Sequence, residues 1–185
     1  MHKIIEFDKE LFLIINDKHT EWLDPIMIFF SSYYSWAAIA LLLLAYIVKN
    51  GEKKWTLGIF TILTALTTNL TNLLIKTIIA RPRPIHEPDF IDIIHSPERY
   101  DASYSFFSAH SSTSFSLALF TVLVVSNKYV KVFAITWASI VAYSRIYLGK
   151  HYPLDVITGI LFGVMMAVVC KRIYDGTVNI LEKPH

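Results

Sequence analysis

Residues 25–48 carry no charged side chain. At 1.5 Å per residue a helix of that length crosses the roughly 30 Å hydrocarbon core of a bilayer. Asp24-Pro25 supplies a capping acceptor followed by proline, a good helix start, and Lys49-Asn50-Gly51 supplies a stop. The rest of the chain agrees with this environment. Hydrophobic residues make up 54% and charged residues only 17%, with a mean hydropathy of +0.46, whereas ordinary soluble domains are about 25% charged. A disordered chain, a collagen-like chain and a typical small soluble enzyme are therefore excluded. The net charge of +2 is too mild for a nucleic-acid partner. The single cysteine, Cys170, excludes an internal disulfide or a CxxC metal site and reads as core or lipid-facing packing.

Four further apolar stretches follow. The second span covers 55–80, where Pro82 and Pro84 end it. The third covers about 108–126, the fourth about 132–148, and the fifth about 153–170, closed by Lys171-Arg172. Ser and Thr in the last three suit helices that face neighbours in one bundle. Residues 1–24 lack the basic start, compact apolar centre and small-residue cleavage site of a secretory signal, and the first 23 carry a pattern of their own. They mix Ile4, Ile5, Phe7, Leu11, Phe12, Ile14 and Ile15 with Lys3, Asp8, Lys9, Glu10 and Asp17, a pattern for an amphipathic helix lying in the interface. A sixth, poorly formed span is the alternative there. The expectation is an all-α, polytopic membrane helix bundle, a single domain over 1–185, with about five transmembrane helices and an N-terminal interfacial helix. No internal repeat is evident. Lys49, Lys53 and Lys54, then Lys128 and Lys131, then Lys171, Arg172 and Lys183 all fall on one side, which the positive-inside rule makes cytoplasmic. The amino terminus and the loop 81–107, whose Arg81, Arg83 and Arg99 are offset by Glu87, Asp89, Asp92, Glu98 and Asp101, are then outside.

Three polar clusters do not fit a bland bundle: Lys76 with Arg81-Pro82-Arg83-Pro84, Ser108-Ala109-His110, and Ser144-Arg145 with His151 and Asp155. Helix parity puts all three on one face. Each residue has a plain structural use alone, as a snorkelling cation, a cap or a dipole partner. Together they suit phosphate chemistry. Lys76, Arg83 and Arg145 supply fixed positive charge, with the planar arginine fork matching phosphate oxygens. The start of the third span offers free N–H groups at Ala109 and beyond, a ready anion site, and Ser108 adds a hydroxyl. Of two histidines, one can attack phosphorus and the other protonate the leaving oxygen. Asp155, a turn from His151, can orient that ring.

Lys76-x6-Arg83-Pro84, Phe107-Ser108-Ala109-His110 and Ser144-Arg145-x5-His151-x3-Asp155 resemble the three signature motifs of the type 2 phosphatidic acid phosphatase family. Those motifs are Lys-x6-Arg-Pro, Pro-Ser-Gly-His and Ser-Arg-x5-His-x3-Asp. Phe107 stands in place of Pro and Ala109 in place of Gly. The resemblance implies a membrane bundle with its site at the outer surface. It also implies cofactor-free, metal-independent hydrolysis of a lipid phosphate or diphosphate, with a polyprenyl diphosphate favoured. By the same resemblance His151 is the nucleophile that forms a phosphohistidine, Asp155 its orienting partner and His110 the acid. Lys76, Arg83, Ser108, Ala109 and Arg145 form the phosphate clamp.

Competing readings exist. His86, Glu87, Asp89, Asp92 and His95 are metal-ligand types in a spacing that matches no metal motif. The loop 81–107 could instead cover the site, with Tyr100, Tyr104, Phe106 and Phe107 as interfacial anchors. A non-enzymatic lipid or anion carrier would use the same cations, but carriers hold substrate near the midplane. Haloperoxidase chemistry on bound vanadate fits a lipid-facing bundle poorly.

Overall fold

The computed structural model describes residues 2–90, 92–98 and 102–182. Arg99, Tyr100, Asp101 and Lys183 lie outside the described residues. Within them the chain is helical, with no strand: α1 (His2–Asn16), α2 (Asp24–Ser31), α3 (Tyr33–Asn50), α4 (Lys54–Ile79), α5 (Ala109–Val124), α6 (Lys128–Tyr147) and α7 (Pro153–Leu181). Two short 3-10 turns, Pro84–His86 and Pro88–Phe90, lie in the long loop. By length and composition α3, α4 and α7 are long and apolar enough to cross a membrane, and α5 is a shorter apolar helix. α6 carries Lys128, Lys131 and Arg145 and falls outside that group.

The surfaces are arranged inside out relative to a soluble bundle. Along α4 the buried face is Thr61, Thr64, Thr68, Asn72 and Lys76, while Leu66, Leu70, Leu73, Leu74 and Ile78 are exposed. The threonine hydroxyls donate back to carbonyls one turn earlier, Thr61 to Leu57 O (2.8 Å) and Thr68 to Thr64 O (2.6 Å), so their burial leaves no unmade hydrogen bond. α5 sits at the centre and buries Ser111, Ser112, Ser114 and Ser116. Small residues let backbones approach closely. Gly159 and Gly163 of α7 meet this serine face, and a Cβ at Gly159 would lie 2.8 Å from Ser108 O. That seam brings the N-termini of α5 and α7 together, where Ser108 N–H donates to Asp155 O (3.1 Å).

Three sequence expectations change. The first span is broken at Ser32, where extended backbone separates α2 from α3; Ser32 caps α3 by accepting from Ser35 N. Asp24 opens α2 but is no cap. Its Oδ1 accepts instead from Tyr147 Oη (2.6 Å) and pairs with His95 Nε2 (2.9 Å), trading a local cap for a tertiary tie. The last helix does not stop at Lys171-Arg172 but runs to Leu181. Lysine and arginine do not break helices, and Lys171 is held one turn on by Asp175 at 2.6 Å. Near this end of the bundle Glu182 pairs with Lys53, just before α4.

Candidate active site

Four helix ends converge opposite that Lys53 pair: the last turns of α4 and α6 and the first turns of α5 and α7. Lys76, Arg83, Ser108, Arg145, His151 and Asp155 are all buried there. Asn72 Nδ2 donates to Phe107 O (2.7 Å), which pins the chain entering α5 against α4.

His151 lies in the turn between α6 and α7, held by backbone bonds from its N–H and that of Lys150 to Arg145 O (3.1 and 3.0 Å). Arg83 Nη1 donates to Lys150 O (2.8 Å) and lies 3.2 Å from His151 Nε2, while its Nε and Nη2 hold Ser103 O and Oγ (2.8 and 2.7 Å). A guanidinium only donates, so Nε2 is the acceptor and the neutral ring carries its proton on Nδ1. Nδ1 faces Ser105 Oγ at 3.4 Å, and Ser105 donates in turn to Asp155 Oδ2. Asp155 is fully buried; Oδ2 also accepts Tyr152 N–H (3.0 Å), and Oδ1 accepts Arg81 Nη1 (2.7 Å).

Burial pushes the His151 pKa well below its ordinary value of 6.5, and the charges of Arg83, Arg145 and Lys76 push it the same way. The ring is therefore neutral, with a lone pair on Nε2, at neutral pH. Burial works against the Arg81 charge, but Asp155 and Asp8 outweigh it and raise its pKa.

His110 opens α5. The charges of Arg145, Lys76, Arg83 and Lys150 bear on its ring. Its Nε2 is buried with no hydrogen-bond partner among the described residues, and the ring lies 5.0 Å from that of Tyr33. It faces a pocket of about 230 Å³ lined also by Trp36, Asn69, Ala109 and Thr113. Ser108 is the α5 cap: its Oγ accepts from Ser111 N (3.3 Å) and Ser111 Oγ (2.9 Å). The N–H groups of Ala109 and His110, at the first two helical positions, have no partner within the helix and point out of the positive end of the dipole. Ser144 is buried in α6 and donates to Val141 O (2.7 Å), a structural use. Arg145 Nη1 donates to Ser31 Oγ at the break between α2 and α3.

The structure thus brings Lys76, Arg83, Ser108, Ala109, His110, Arg145, His151 and Asp155 to one end of the bundle, and adds others. Ser105, Ser103 and Ser31 lie on loops or helix ends with no periodic pattern to reveal them. One acceptor of Arg81 was equally hidden, since Asp8 sits in a different helix. The loop ligand types do not gather: Glu87 pairs with Lys9 (2.6 Å) and His95 with Asp24 (2.9 Å). Among the described residues no group of three or more His, Cys, Asp or Glu could hold a metal. Phe107 is not an interfacial anchor but is buried, its ring 4.8 Å from that of Phe162; Tyr104 is exposed.

The sequence matches the PAP2 superfamily over residues 53–178. It is 31% identical over 178 residues to a lipid A 4'-phosphatase of Porphyromonas gingivalis, covering 94% of this chain and 75% of the relative. It is 32% identical over 172 residues to an undecaprenyl-diphosphatase of Sulfolobus acidocaldarius, covering 91% and 79%. The fold is similar to that of a transmembrane PAP2-type phosphatidylglycerolphosphate phosphatase of Bacillus subtilis, with a TM-score of 0.75 at 24% identity, covering 95% of this chain and 88% of that one. The chain belongs to the PAP2 superfamily and is a membrane phosphatase.

Proposed function

We propose that this protein removes a terminal phosphate from a lipid phosphate or diphosphate through a phosphohistidine at His151, without a metal ion. The observation that carries the reading is the neutral His151 ring, whose Nε2 lone pair lies beside Arg83 while Lys76 and Arg145 act on the same ring. A phosphoryl group entering there meets a nucleophile and its counter-charges together. As Arg83 Nη1 passes from Nε2 to a phosphate oxygen, the freed Nε2 lone pair attacks phosphorus in line, and the P–O bond to the lipid breaks. His110, protonated on both ring nitrogens once the phosphate anion is bound, gives its Nε2 proton to the leaving oxygen and becomes neutral. The charge spreading over the equatorial oxygens is met by Lys76, Arg83, Arg145 and the N–H groups of Ala109 and His110, and Ser108 sets the start of α5. Water, deprotonated by His110, then attacks the phosphohistidine; inorganic phosphate leaves, and both histidines return to their starting states. Phosphoryl transfer depends chiefly on positioning and charge neutralisation, which these fixed cations supply.

The chain acts as one domain over 1–185, with α2–α3, α4, α5, α6 and α7 as five spans, α1 in the interface and the loop 81–107 over the site. Exposed aromatics support this placement: Trp22, Tyr33, Tyr34 and Tyr104 near the site end, and Trp55 and Tyr129 near the other. Lysines at the second end favour the cytoplasmic membrane with the site facing outward. A polyprenyl diphosphate is the first candidate, because Lys150 adds a fourth cation acting on His110, which suits more than one phosphate. A lipid A 4'-phosphate is the second, favoured by the similarity to a relative of that name.

The test is phosphate release by purified protein from undecaprenyl diphosphate, lipid A, phosphatidylglycerol phosphate and phosphatidate. Turnover of at least one is expected and its loss in folded His151→Ala; near-normal release by that variant would overturn the assignment.

A further inference from the structure

The N-terminal helix reaches the site through one buried carboxylate. Asp8, Phe12 and Asn16 recur at every fourth position and are all buried, while Phe7 and Ile14 on the other side of α1 are exposed. A carboxylate is expensive to bury unless each oxygen finds a partner. Both oxygens of Asp8 do: Oδ2 accepts from Arg81 Nη2 (2.7 Å) and Oδ1 accepts from Leu154 N–H (2.8 Å).

These two contacts have separate uses. Leu154 is the second residue of α7. Its N–H is one that a helix leaves unpaired, ordinarily satisfied by a short side chain at the cap. Tyr152 stands at that cap and has no such short oxygen, so α1 provides the cap from outside. Arg81 has a fork whose other arm, Nη1, holds Asp155 Oδ1 (2.7 Å), and its guanidinium lies 4.0 Å over the Tyr152 ring. With one arm fixed by Asp8 and its plane fixed by Tyr152, Arg81 can offer Asp155 only one geometry.

We propose that Asp8 is a positioning residue for the phosphatase reaction: by holding Arg81 and the first turn of α7 it fixes Asp155, and through Ser105 the imidazole of His151. Docking of α1 is then part of the active enzyme rather than only an attachment to the membrane. The inference rests on His151 as the nucleophile.

Asp8→Asn separates the two uses, because an amide oxygen still accepts from Leu154 but cannot balance the Arg81 charge. The experiment measures phosphate release by purified Asp8→Asn, Asp8→Glu, Ser105→Ala and the Asp8→Asn/Ser105→Ala double variant, on the panel lipid that the wild type turns over fastest. Glu10→Gln, an exposed change on the same helix, is the control. For Asp8→Asn we expect kcat to fall roughly 10- to 100-fold, with KM within about twofold; Tm falls because a buried ion pair loses one charge, but the variant stays folded at the assay temperature. Asp8→Glu recovers part of the loss. The double variant falls by less than the product of its single losses, since both act through Asp155. A kcat for Asp8→Asn within about twofold of wild type, a loss shared with KM, or fully multiplicative losses in the double variant would overturn the proposal. Near-normal turnover by His151→Ala would instead remove the nucleophile assignment beneath it, and is read in a separate variant.

Discussion

His151 and Asp155 do not touch: 3.8 Å separates Nδ1 from Oδ2, and the hydroxyl of Ser105 stands between them. Spacing by one helical turn suggests a direct pair. The two residues are not on one helix, however, because His151 precedes the α7 cap. The carboxylate turns instead to Tyr152 N–H and Arg81.

Replacing Ser105 by Ala therefore removes the bridge and leaves both ends in place. The ring loses the partner for its Nδ1 proton, and misplacement on this scale costs on the order of 100-fold in turnover. Steady-state kinetics should show the loss in kcat, with binding of the lipid little changed.

The acid side of the pH profile follows from the lowered His151 pKa. With His151 as the proposed nucleophile, attack is lost only when the ring is protonated, so kcat/KM should persist below pH 6.5, the ordinary histidine value, and fall as pH drops through the lowered pKa. Removing a cation relieves part of the depression. In Arg83→Gln the acid limb should move to higher pH, alongside a fall in rate typical of losing one such donor, about 100- to 1,000-fold. A pH–rate series on both proteins checks the sign.

Vanadate can adopt the trigonal bipyramid of a phosphoryl group in transfer, and the clamp of Lys76, Arg83 and Arg145 is matched to that charge. It should inhibit strongly and in competition with the lipid. EDTA should leave phosphate release unchanged, since the charge is neutralised by side chains.

Gly159→Val forces branched carbons against Ser108 O, where even a Cβ would lie at 2.8 Å. Overpacking of this kind costs about 1–3 kcal/mol, so a thermal melt in detergent should shift downward. Turnover should fall as well, because the atom displaced belongs to the cap that aims His110.

Lys76, Arg83, Ser108, His110, Arg145, His151 and Asp155 were legible because cations, imidazoles and a carboxylate stand out in an apolar chain and helix parity groups their helix ends. What periodicity cannot reveal is which loop residue fills a gap. Ser105, Ser103 and Asp8 are ordinary polar residues until the fold sets them against Asp155 and Arg83. The break at Ser32 was hidden because the run around it is uniformly uncharged, and hydropathy reports where lipid is tolerated rather than where a helix bends. The extension of α7 was hidden for the opposite reason: charge ends a hydrophobic span without ending the hydrogen-bonded ladder.

The glycine-serine contact between α5 and α7 has a wider consequence. Where two backbones touch, neither can slide without the other, so the His151 turn and the His110 helix behave as one rigid jaw. A change of lipid preference has little room there. Room for it lies instead on the α2–α3 side of the pocket, where Tyr33 and Trp36 line the space beside His110.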